Sequence, residues 1–157
     1  TQELLIDISA SSYEVCTGDV VLLEGCPSSG VWSENPTNGF GASLTGTTGT
    51  VEAHFSNFAS GSYDFIYSVD TLHDTLSIIV HPKPLVNLNM SEVCIGMNVQ
   101  AAANISGGEW SSNNPSITYI NPESGLISTW GSGMATFNYT DENGCIGTTT
   151  TLCPGKL

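Results

Sequence analysis

Basic residues are almost missing from this chain: 157 residues hold two lysines, no arginine and 15 Asp and Glu, for a formal net charge of -13. A nucleic-acid binder needs Lys and Arg to displace counterions, and an anionic lipid surface needs the same. Both kinds of partner are excluded on charge. Charged residues make up 11% of the chain, against about 25% in an average soluble domain, and the missing ones are mostly basic; the negative field that remains suits solubility. No apolar run approaches the roughly 18 residues of a membrane-spanning helix, so no membrane insertion of this fragment is expected. The chain opens on Thr1 rather than Met and reads as an excised fragment; Lys156-Leu157 reads equally as native sequence or as a cloning remnant.

Catalytic signatures are missing too. There is no C-x-x-C pair and no G-x-S-x-G elbow, and His54, His73 and His81 lie in unrelated segments. A non-enzyme is expected.

What is present is a repeat. Shifted by 78 positions, Glu14, Val15, Cys16, Gly18, Val21, Gly30, Trp32, Ser33 and Asn35 fall on Glu92, Val93, Cys94, Gly96, Val99, Gly108, Trp110, Ser111 and Asn113. Shifted by 72, Ser60, Gly61, Phe65 and Tyr67 fall on Ser132, Gly133, Phe137 and Tyr139. Two copies of one unit follow, the second shorter in its middle. Between them His81-Pro82-Lys83-Pro84 carries two prolines, which fix φ and remove backbone donors. The expected division is a first domain over 1–81, a linker over 82–85 and a second domain over 86–157.

Apolar residues alternate or form short β-branched runs at Val20 to Leu23, Tyr63 to Tyr67, Leu76 to Val80 and Met134 to Tyr139, punctuated by Asn35-Pro36, Asn38-Gly39 and Asn143-Gly144. The predicted fold is all-β, two tandem immunoglobulin-like Greek-key β-sandwiches. Trp32 and Trp110 take the place of the core tryptophan of such a sandwich. Trp130 aligns with Phe58 and so has a packing explanation, yet it is also the aromatic candidate for stacking on a ligand.

Val93-Cys94-x-Gly96, Gly108-x-Trp110-Ser111-Ser112-Asn113-x-Pro115, Gly125-Leu126-Ile127, Gly133-x-Ala135-Thr136-Phe137-x-Tyr139 and Asn143-Gly144-Cys145 together resemble group 2 bacterial immunoglobulin-like domains. The pattern looks like the cysteine-bearing variety found in cell-surface adhesins and gliding-motility proteins of Bacteroidetes. The likeness covers nearly all of residues 86 to 152; the first copy follows it from Val15 to Ser33 and from Gly61 to Tyr67 and departs at the end, where His73 takes the place of the second cysteine. The resemblance implies a disulfide between Cys94 and Cys145, and Asp70-Thr71-Leu72 and Asp74-Thr75-Leu76 resemble the O-glycosylation site of secreted Bacteroidetes proteins, at Thr71 and Thr75.

Five cysteines in such a chain point to an oxidising compartment, secreted or on the bacterial cell surface. In the first copy Cys26 is the partner within reach of Cys16, provided that a turn at Gly18-Asp19 folds the chain back. Cys153 is left free, paired beyond the fragment or bonded to Cys94. No cofactor is expected; the calcium candidates are Asp70 with Asp74 and Asp141 with Glu142, which solvated turns explain as well. The functional expectation is a non-catalytic structural or adhesion segment, monomeric, whose partners are neighbouring repeats of the same polypeptide. The alternative is a module that binds a surface polysaccharide or a protein.

Overall fold

A computed structural model describes residues 5–155; the Lys156-Leu157 question lies outside them. The chain divides into two compact units, Thr1–Pro82 and Lys83–Leu157, and residues 82–85 lie outside any strand.

The first unit contains β1 (Asp7–Ala10), β2 (Glu14–Cys16), β3 (Val20–Cys26), β4 (Val31–Glu34), β5 (Ala42–Thr45), β6 (Thr50–Phe55), β7 (Gly61–Val69) and β8 (Leu72–His81). One short 3-10 turn, Pro36–Asn38, is capped by the Asn35 side chain, which accepts from Thr37 N. One sheet runs β1-β3-β6-β5 and the other β2-β8-β7-β4. All neighbours are antiparallel except β2, which joins β8 in parallel with Cys16 opposite His81. Alternation places Val21, Leu23, Val51, Ala53 and Phe55 of the first sheet against Trp32, Phe65, Tyr67, Ile78 and Val80 of the second.

The second unit contains β9 (Val86–Leu88), β10 (Asn98–Ala103), β11 (Glu109–Ser112), β12 (Thr118–Ile120), β13 (Leu126–Thr129), β14 (Gly133–Thr140) and β15 (Ile146–Cys153). Its sheets are β12-β13-β10-β9 and β11-β14-β15. The counterpart of β2 is reduced to a single parallel bridge, Glu92 to Leu152, with Val93 N donating to Leu152 O at 3.2 Å.

The repeat residues have the same physical job in each unit. Trp32 lies 4.8 Å from Tyr67 and Trp110 lies 4.8 Å from Tyr139, centroid to centroid, both tilted. Gly30 and Gly108 exist for those tyrosines: a Cβ on Gly30 would stand 2.3 Å from Tyr67 Cζ, and one on Gly108 2.3 Å from Thr140 O and 2.8 Å from Tyr139 Cζ. Gly18 and Gly96, at φ +83° and +82°, turn the chain out of the cysteine segment, in the left-handed region that favours glycine.

Candidate functional site

Both expected disulfides are absent, because Cys26 and Cys94 are free thiols. The turn at Gly18 does form, with Asp19 N donating to Cys16 O at 3.1 Å. It returns the chain into β3, however, and β3 carries Cys26 away to the far end of the sheet, opposite Asp7. Six strand steps amount to about 20 Å, whereas bridged Cα atoms lie within about 7 Å. In the second unit Cys94 stands beside the end of β15, and Cys145 precedes its start. Eight steps separate those ends, about 26 Å.

Cys16 and Cys145 are disulfide-bonded. Cys153 is fully buried and free. Burial pushes its thiol pKa up, partly offset by a hydrogen bond with the Thr129 side chain, while nearby Cys94 adds to the rise.

The residue standing where the second cysteine would be is also corrected. Gly61 pairs with Val80 and Gly133 with Cys153, so β8 matches β15 at a shift of 73 and Leu72, not His73, corresponds to Cys145. The second hairpin has one residue more, with Gly144 at φ +80°.

The calcium candidates do not converge. Asp141 is buried, and its Oδ1 accepts from Asn143 N at 2.9 Å and Cys145 N at 2.8 Å; the carboxylate organises the hairpin. Glu142 is exposed beside it. Asp70 sits at the β7–β8 hairpin tip with φ +53°, and Asp74 accepts from Thr75 N at 2.8 Å. Among the described residues no group of three or more His, Cys, Asp or Glu could hold a metal. Thr71 and Thr75 are both exposed on that hairpin.

Two of the three histidines adjoin carboxylates: His54 Nε2 lies 3.1 Å from Glu52 and His81 Nε2 lies 3.0 Å from Glu14. A shallow depression of about 310 Å³ on the first sheet is lined by Asp7, Ser9, Glu24, Gly25, Cys26 and Thr50. It gathers the carboxylates of Asp7 and Glu24 and the exposed thiol of Cys26.

The aromatic residues divide differently from expectation. Trp32 and Trp110 are core. Trp130 is 54% exposed and Phe58 96% exposed, so the packing explanation fails for both. Trp130 is held by its indole N–H, which donates to Ser116 O at 2.8 Å, leaving half of the side chain open. Sequence reasoning missed Phe40, which is fully exposed. Ser56 N donates to Gly41 O at 2.9 Å, which brings the loops bearing Phe40 and Phe58 together. Asn38 stiffens the first loop by donating to Asp64 O at 2.7 Å and accepting from Asp64 N at 2.9 Å. An Asn-Gly turn followed by an aromatic with no strand partner was the available signal.

No family model matches the chain, and no curated protein does. Solved structures do. The C-terminal 282-residue fragment of intimin, crystallised with the intimin-binding domain of the translocated intimin receptor, overlaps 97% of this chain at 12% identity and a TM-score of 0.63. The fold is immunoglobulin-like, as in that adhesin. This chain spans 65% of the intimin fragment. The Yersinia pseudotuberculosis adhesin InvE overlaps 96% of this chain and 59% of its own at 10% identity and a TM-score of 0.39. A titin I-band fragment overlaps 95% and 64% at 11% identity and 0.44.

Proposed function

We propose that the chain is a non-catalytic adhesion segment of a larger secreted or surface-displayed bacterial protein, made of two tandem immunoglobulin-like domains joined at residues 82–85. The observation that supports this reading is the repeated packing: Gly30, Trp32 and Tyr67 in one unit and Gly108, Trp110 and Tyr139 in the other make the same close contact, while Phe40, Phe58 and Trp130 stand exposed on loops. A repeated frame with variable tips suits a surface stalk that carries or presents a ligand-binding loop. The disulfide-bonded cysteines and the acidic surface fit an oxidising exterior. Resemblance to the cysteine-bearing domains of Bacteroidetes supports a gliding-motility or adhesion protein as the parent, with Thr71 and Thr75 as glycosylation positions. The chain itself acts as a monomer, without a cofactor, beside further repeats of its own polypeptide. Antibodies raised against residues 1–157 are expected to label intact source cells, and in-frame removal of the segment to weaken attachment. Labelling only after lysis refutes the reading.

One observation favours a second reading. Trp130, Phe40 and Phe58 are exposed aromatics on loops, which suits direct binding of a polysaccharide or protein. Glycan-array screening followed by titration separates the two, since saturable binding lost in Trp130→Ala establishes a binding module.

A further inference from the structure

Cys94 has a twin whose chemistry is already visible. Cys16 and Cys94 each follow the valine that enters the core (Val15, Val93) and precede the positive-φ glycine (Gly18, Gly96). Each stands beside the end of its unit's last strand, held by Thr17 N to His81 O at 2.9 Å in one and by Val93 N to Leu152 O at 3.2 Å in the other. Cys16 is disulfide-bonded, whereas Cys94 is a partly exposed free thiol.

Neither other cysteine of the second unit can serve Cys94. Cys145 lies at the opposite end of β15, about 26 Å away by strand rise. Cys153 is next to it in the chain path, but Val93 and Cys153 both point into the core at 0% exposure. Cys94 is half-buried and lies near enough to act on Cys153 electrostatically, yet both thiols are free, and a disulfide forms only where the Cβ vectors meet. Gly96 N, donating to Thr129 O at 3.1 Å, fixes the turn that would have to move.

We infer that Cys94 is a cross-linking site for a cysteine outside its own unit, presented on the closing hairpin of another immunoglobulin-like unit. Cys145 shows that this hairpin position supports a disulfide: it follows Gly144 at the tip and is oxidised. The inference rests on the reading of the chain as one part of a repeat series. The chemistry is thiol–disulfide exchange with a small-molecule disulfide as oxidant. The Cys94 thiolate opens the oxidant's S–S bond, forming a mixed disulfide and releasing one thiolate. The partner's thiolate then displaces the second. Two protein thiols become one disulfide, the oxidant becomes two thiols, and the two protons lost by the protein are taken up by those thiols.

The test uses the intact protein from source cells, alkylated without reduction and cleaved after glutamate. Glu92 and Glu109 then release Cys94 alone in peptide 93–109, apart from Cys16 in 15–24, Cys26 in 25–34, and Cys145 and Cys153 in the peptide from 143 onward. The expected result is peptide 93–109 joined to a hairpin peptide of another unit, lost in Cys94→Ser with the near-ultraviolet circular dichroism unchanged. Alkylated Cys94, or its linkage to any of the other peptides named, overturns the inference. Surface labelling is indifferent to that outcome, so the functional reading and this one fail separately.

Discussion

Gly30→Ala is the most direct test of why the repeat is written as it is. The new methyl would stand 2.3, 2.5 and 2.6 Å from Tyr67 Cζ, Cε1 and Oη, well inside van der Waals contact. The ring cannot retreat, because Tyr67 is fully buried and leans on Trp32 at 4.8 Å, and its hydroxyl donates to Pro27 O. Overpacking a tight core costs about 1–3 kcal/mol, and displacing the hydroxyl from its acceptor costs about 1 kcal/mol more. The first unit should therefore lose about 2–4 kcal/mol. The assay is urea denaturation followed through amide NMR peaks of residues 61–69, which report that unit alone. In a Tyr67→Leu background the ring is gone, and the cost of Gly30→Ala should fall below about 1 kcal/mol, a coupling that a double-mutant cycle reads directly. An equal cost in both backgrounds refutes the claim that the glycine serves the tyrosine.

The remaining expectations are smaller. Trp130→Ala should change stability by less than about 1 kcal/mol, because half of the side chain is already in water; thermal melting checks this alongside the binding titration. Asp141→Ala should cost about 1–3 kcal/mol by orphaning two backbone donors in the β14–β15 hairpin, and calcium should leave the melting of the parent chain unchanged. In the isolated 157-residue chain, produced apart from any neighbouring unit, native alkylation should reach Cys26 and Cys94 but not Cys153, which is fully buried. With its folded pKa raised, Cys153 contributes stability that is complete below the ordinary thiol value of 9.0 and is lost as pH climbs through the folded value. Cys153→Ser should flatten that alkaline decline in denaturation measured across pH.

The strands were legible because their signal is local. The alternating segments around Val21, Phe65, Ile78 and Phe137 bury one side of each strand, and period two is written in consecutive residues. The candidate site was legible only in part. Trp130 was noticed, but its alignment with Phe58 suggested burial, and both are exposed, since a shared column shows that two residues occupy one place without showing that the place is inside. Phe40 gave only a weak cue, because exposure belongs to a loop's path and not to its composition. The cysteine pairings failed for a sharper reason. Separation in sequence says nothing about which end of a strand a residue occupies, and a strand carries its two ends about 3.3 Å per residue apart.

The glycines, tryptophans and tyrosines of the repeat were sufficient by themselves to indicate an all-β, immunoglobulin-like fold, because each is tied to a backbone angle or a close approach that few other residues satisfy. Charge composition likewise set the expectation that nucleic acid and anionic lipid are not its partners. The state of the cysteines and the exposure of Phe40, Phe58 and Trp130 were decided by tertiary structure alone. Both depend on where strands begin and end in space, and Cys94, one residue beyond a buried valine and one strand's length from Cys145, is placed by that geometry.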